Sequence, residues 1–92
     1  LNKQEREKAV EISEALFLLE NHLKNGHSFQ SGLEELKNKK LLSDSCHVEY
    51  LELIELPFFR LNPELNRGKE YAICAAVEIG EIRLIDNVRF RL

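Results

Sequence analysis

Apolar residues recur every three or four positions through the first quarter of the chain. Ala9, Ile12, Leu16, Leu19 and Leu23 fall on one stripe of a long amphipathic helix. Asn2 suits the N-cap, and Glu5, three residues on, completes a capping box. Asn25-Gly26 supplies the stop, with Gly26 suited to the left-handed position beyond the last turn. Val10 and Phe17 lie about 100° round from the stripe, which widens the apolar face beyond one sheet contact. They call for a second packing partner, either the next helix or a domain beyond these residues. Ser28 caps a second helix from Phe29 to about Lys40, with Phe29, Leu33 and Leu36 on one face and Gly32 beside them. Glycine inside a helix costs about 1 kcal/mol relative to alanine, so a close backbone approach is the expected reason for it.

After the turn cluster Ser43-Asp44-Ser45 the period changes to two. Cys46, Val48, Tyr50 and Ile54 alternate with His47, Glu49, Leu51 and Leu53, which predicts a first strand. The stretch from Leu56 to Gly68 holds both prolines, Pro57 and Pro63, yet carries Phe58, Phe59, Leu61 and Leu65. A connection so apolar is expected to fold back over an edge of the sheet. A second strand, Glu70 to Ile79, is apolar on both faces, as a central strand is. Gly80-Glu81 suits a two-residue hairpin turn that takes positive φ at glycine. The third strand follows from Ile82 to about Phe90, with Ile82 and Leu84 on one face and Arg83 and Ile85 on the other. These elements predict an α+β fold, a two-layer sandwich with two helices on one face of a three-stranded antiparallel sheet. The other face keeps Ala72, Ala76 and Ile85, and an apolar open face is usually a docking surface.

Composition narrows the classes without choosing among them. Ninety-two residues, 43% hydrophobic and 32% charged, make one small domain with a modest core. No apolar run approaches the roughly 20 residues of a membrane helix, and no signal peptide is visible. A net charge of −3 argues against a nucleic-acid module. Residues 1–40 balance seven Lys/Arg against seven Asp/Glu, while residues 41–92 carry six against nine, so neither half offers a basic patch.

Candidate chemistry is sparse. Cys46 and Cys74 read as small apolar side chains in a reducing cytoplasm, with a Cys46–Cys74 bridge as the alternative. His22, His27 and His47 show no metal-ligand spacing with each other or with either cysteine. Glu49, Glu52 and Glu55 read as the solvated edge of a strand rather than a proton-transfer pair. Lys37, Lys39 and Lys40 fit a helix C-terminus and solvation, the alternative being an anion site. There is no Gly-rich phosphate loop and no Ser/His/Asp arrangement.

Two short words say more. Val48-Glu49-Tyr50-Leu51-Glu52-Leu53 and Arg83-Leu84-Ile85-Asp86-Asn87 resemble the C-terminal domain of the pantoate–β-alanine ligase (pantothenate synthetase) family. The opening Leu1-Asn2-Lys3-Gln4-Glu5-Arg6 is similar to the family's Ser-Pro-Glu-Glu-Arg type helix start, with Asn2-Lys3 in place of Ser-Pro. The Leu56–Gly68 connection departs from the family in being longer and more apolar.

The resemblance implies one part of an enzyme that condenses pantoate with β-alanine. Such enzymes use ATP and Mg²⁺, pass through pantoyl-adenylate, and release AMP and pyrophosphate. The family's His-x-Gly-His signature and Ser-Ser-Arg-Asn type loop belong to an N-terminal Rossmann-like domain and do not occur in residues 1–92. No catalytic, cofactor-binding or metal-binding residue therefore carries over. The implied role is a lid over the active site, inactive alone and binding no cofactor itself. Its implied partner is its own N-terminal catalytic domain, within a cytoplasmic homodimer. Arg83, Asp86 and Asn87 have two readings: a salt bridge with an Asx-type turn ending the strand, or an interdomain contact with the catalytic domain or its bound nucleotide. The residues alone also allow a stand-alone interaction module that uses the open sheet face.

Overall fold

The helical period at the start of the chain becomes α1, Lys3–Lys24, in the computed structural model, which describes residues 3–39, 41, 47–57, 60–61 and 63–92. The expected cap Asn2 and the cysteine Cys46 lie outside the described residues. Ile12, Leu16, Leu19 and Leu23 are buried as the stripe predicts, joined by Ala15, which the pattern did not single out. Each such aliphatic side chain contributes roughly 1.5–3 kcal/mol on burial. At the helix end His27 N–H donates to the His22 carbonyl (3.1 Å) and Gly26 N–H to that of Leu23 (3.0 Å), the paired bonds of a Schellman cap.

Helix α2, Phe29–Asn38, starts where Ser28 predicts. The Ser28 side chain accepts from the Ser31 N–H at 3.1 Å, the cap expected of it. A Cβ on Gly32 would stand 2.7 Å from Cδ2 of Leu19 and 3.2 Å from Cδ2 of His22. The helices therefore touch where glycine removes the side chain. Helix α1 lies over the sheet, and α2 packs chiefly on α1 and sends Leu36 into the core.

The sheet has four strands: β1 His47–Leu56, β2 Arg60–Leu61, β3 Glu70–Ile79 and β4 Ile82–Arg91. They lie in the antiparallel order β2-β1-β3-β4. The fold class holds, with one strand more than the three expected. The extra strand comes from the apolar connection, which folds back so that Ile54 pairs with Leu61 and Glu55 with Arg60. Two residues between prolines carry no strand signal of their own, and the edge of β1 imposes the conformation. Strand β3 is central, and Gly80 turns the hairpin at φ 62°, leaving Ile79 opposite Ile82.

The expected alternation of β1 fails at one point. Val48 pairs with Val77 while Tyr50 pairs with Ala76, so Glu49 is an extra residue forming a β-bulge. The bulge reverses the facing of everything before it. Val48, Leu51 and Leu53 consequently share the helix face with Tyr71, Ile73, Ala75 and Val77, whereas Tyr50 and Ile54 turn to the open face.

Candidate functional site

The open face is the surface that the fold leaves without a covering element among the described residues. Tyr50 and Ile54 of β1, Leu61 of β2, Ala72, Cys74 and Ala76 of β3, and Ile85 of β4 make its middle. Ile54, Ala72 and Ala76 are buried yet stand apart from the main core. Leu61 is 57% exposed and Ile85 61%. A depression floored by Ala72 and Cys74 and walled by Leu56, Pro57, Asn87 and Arg89 runs along one end.

Ion pairs close both ends of this face. At the hairpin end, Arg83 Nε donates to Glu49 Oε2 at 2.9 Å, across the intervening β3. The bulge lets Glu49 reach that position, so the two words that carry the family resemblance meet here. The Glu49 carboxyl is held below its ordinary pKa. Hydrogen bonding with Glu78 is the largest cause; Arg83 and the charge of His47 add to it, and desolvation opposes it. At the far end, Arg89 and Arg91 both reach Glu70, at 3.1 and 2.9 Å.

Arg83, Asp86 and Asn87, the candidate interdomain contact, do not converge. Arg83 and Asn87 lie on the open face, whereas Asp86 points to the helix side, where it accepts from the Ser13 hydroxyl of α1 at 3.3 Å. Asp86 also accepts from the Asn87 N–H at 2.8 Å, but β4 continues to Arg91, so no turn ends the strand there. The salt-bridge reading of Arg83 agrees with the structure; the strand-ending turn is corrected.

Glu55 departs from expectation too. It was read as a solvated strand edge, but it is 5% exposed, with Lys69 at 3.5 Å and Arg60 at 3.9 Å. Alternation with Leu51 and Leu53 places it on the helix face, and folding back of the connection brings up Arg60. Cys74 is a free thiol whose pKa is raised, first by burial and then by the charge of Glu52.

A second surface lies on α1. Val10 is 57% exposed and Phe17 63%, so α2 is not the partner they require. Phe17 borders a groove lined by Ser13, Asn21, His22, His27 and Glu35. His22 and His27 stack there with ring centroids 4.6 Å apart. Sequence spacing did not pair them, because the Schellman turn, not helical periodicity, brings them together. The Ser31 hydroxyl donates to the Ser28 carbonyl (2.9 Å), leaving its oxygen to accept from His22 Nε2 at 2.7 Å. Among the described residues no cluster of three or more His, Cys, Asp or Glu is placed to hold a metal ion. Among the described residues the open-face arginines Arg83, Arg89 and Arg91 are each paired with a carboxylate. No helix among the described residues is long and apolar enough to cross a membrane.

The structure defines a two-layer α+β domain with ion-paired charges and two surfaces that carry exposed apolar residues. Comparison with known proteins makes this particular. Residues 1–89 match the family described as pantoate-beta-alanine ligase. The pantothenate synthetase of Prosthecochloris aestuarii is 29% identical over 93 residues, which is all of this chain and 32% of that protein. That of Sulfurihydrogenibium sp. is 31% identical over 91 residues, 98% of this chain and 32% of that protein. A crystal structure of pantothenate synthetase from Thermus thermophilus shares the fold, with a TM-score of 0.73 at 20% identity over 96% of this chain and 31% of that one. The chain belongs to the pantoate–β-alanine ligase family and corresponds to its C-terminal portion. It spans about a third of the length of the relatives it matches.

Proposed function

We propose that this chain is the closing domain of an ATP-dependent ligase that joins pantoate to β-alanine through pantoyl-adenylate, yielding pantothenate, AMP and pyrophosphate. In this reading it covers the active site of an N-terminal catalytic domain that holds ATP and Mg²⁺, and it is inactive by itself. The observation that carries the proposal is the match of nearly the whole chain, residues 1–89, to a ligase family. The exposed ridge of Val10 and Phe17 on α1 supports it, being an apolar surface that α2 leaves uncovered. A closing domain contributes by excluding water from a reactive intermediate, and an acyl-adenylate is open to hydrolysis. That work needs shape and apolar contact, not reactive side chains.

The test is an assay for pantothenate from ATP, pantoate and β-alanine. It compares the 92-residue chain alone, a ligase of this family carrying it as C-terminal portion, and the same ligase with Phe17→Glu. The chain alone should give no product. The joined protein should be active, and Phe17→Glu should lower its turnover about tenfold or more while leaving the unfolding midpoint of the isolated chain unchanged. Full activity of a ligase from which this portion has been deleted would sink the proposal.

A further inference from the structure

Strand β4 ends the sheet. Its ten residues, Ile82–Arg91, pair with β3 along their whole length, and among the described residues no strand lies on their other side. The two-residue turn makes Ile79 and Ile82 a bonded pair, so the even-numbered residues of β4 spend their N–H and C=O groups on β3. Leu92 keeps that parity at the far end, where its N–H donates to the Lys69 carbonyl at 3.2 Å. The backbone groups of Arg83, Ile85, Asn87, Arg89 and Arg91 therefore point outward from the sheet edge. One of them is taken within the chain, the Asn87 N–H by the Asp86 carboxylate. A long edge in straight register, without proline or glycine, is a template for another extended segment.

The side chains of the edge state which segment it suits. Those five outward residues carry three arginines and no carboxylate. The carboxylates of the open face, Glu49, Glu52, Glu70 and Glu78, all stand on β1 and β3. Arg83, Arg89 and Arg91 stay at least half exposed in their pairs with Glu49 and Glu70. Exposed ion pairs hold little energy, and a guanidinium has donors for a second carboxylate.

From this edge we infer that β4 takes up an extended acidic segment of a partner protein as a further strand of the sheet. The segment's backbone pairs with the outward groups of residues such as Ile85 and Arg89. Its carboxylates, at alternate positions, lie beside Arg83, Arg89 and Arg91. A second copy of this chain is a poor occupant. Full overlap of two antiparallel β4 strands sets Arg83 against Arg91 and Ile85 against Arg89, with no carboxylate opposite any arginine. The edge does not use the Val10 and Phe17 ridge, and the inference does not depend on the ligase reading.

Fluorescence anisotropy of a labelled peptide of about ten residues, glutamate alternating with threonine, tests it on the 92-residue chain. The peptide should bind with a dissociation constant below about 1 mM at low salt. At saturation, exchange of the Ile85 and Arg89 amide protons should slow about tenfold or more. Arg89→Glu should weaken binding about tenfold or more, and so should Ile85→Pro, which removes an outward N–H that β3 does not use. Circular dichroism and the urea midpoint verify that each variant is folded. A peptide N-methylated at alternate residues keeps every charge and loses the backbone donors, so it tests strand addition on the unaltered protein. It should bind about tenfold more weakly or worse. Failure of the acidic peptide to bind overturns the inference. So does equal binding of the N-methylated peptide, which would be charge attraction without a strand, or equal binding of a lysine–threonine peptide.

Discussion

The hydroxyl of Tyr71 ties a loop to the sheet that the loop's own residues cannot hold. It accepts from the Asn66 N–H at 2.7 Å and donates to the Glu64 carbonyl at 3.1 Å, while its fully buried ring packs on Phe90 at 5.9 Å between centroids. Tyr71→Phe keeps the ring and removes both bonds, so it should cost about 1–2 kcal/mol. An unchanged urea midpoint would show that the hydroxyl does not anchor the loop. Gly32 is the complementary case, a position where a missing side chain matters. Alanine there gains about 1 kcal/mol of helix propensity. The added methyl, however, would stand 2.7 Å from Cδ2 of Leu19, a fully buried side chain that must shift to admit it. Overpacking costs about 1–3 kcal/mol, so the expected net effect of Gly32→Ala is a loss of about 1 kcal/mol, read from thermal unfolding. A stabilised variant would show that the helices can separate there at little cost. The glycine was legible in the sequence as an anomaly within a helix. The role of Tyr71 was not, because its partners are backbone groups of a loop with no periodicity.

Among the elements, the helices and the β3–β4 hairpin could be read almost residue by residue, since caps, periods and the glycine turn all point the same way. Strand β1 could not, because a bulge breaks the alternation and is invisible to a period-two reading. The same break hid the position of Val48 and the meeting of Glu49 with Arg83. Regular alternation along β4 divides Arg83, Asp86 and Asn87 between two faces, so they do not form one site although they are close in sequence. Gly80→Val forces a β-branched residue toward positive φ and should cost roughly 1–3 kcal/mol; an unshifted urea midpoint would show that the turn tolerates it. The Glu49 cluster adds a pH dependence. A carboxyl held below its ordinary value binds its proton less readily folded than unfolded. Its contribution to stability is therefore present above about pH 4.5 and is lost as the pH falls through its folded value. The melting temperature of Glu49→Gln should accordingly decline less steeply than that of the parent below pH 4.5. Parallel curves for the two proteins would mean that the hydrogen bonding to Glu78 and Arg83 does not persist in solution.

For the whole molecule, caps, periodicities and core agree well enough for the 92-residue chain to fold alone, with a stability of order 5 kcal/mol. Denaturant unfolding should be a single cooperative transition, and a broad, probe-dependent one would contradict this. The family was legible only through the resemblance of two short words, since the motifs in these residues carry no chemistry of their own. The structure gives the physical counterpart of that silence, with ion pairs across the open sheet face and exposed apolar residues on both that face and the α1 ridge. A domain that closes over a ligand held by another body offers half a site, without burial or preorganisation. Calorimetric titration of the folded 92-residue chain with ATP and Mg²⁺ tests this most directly. The expected result is no binding heat up to millimolar nucleotide. Micromolar binding would mean that these residues form a nucleotide site of their own, contradicting the closing role.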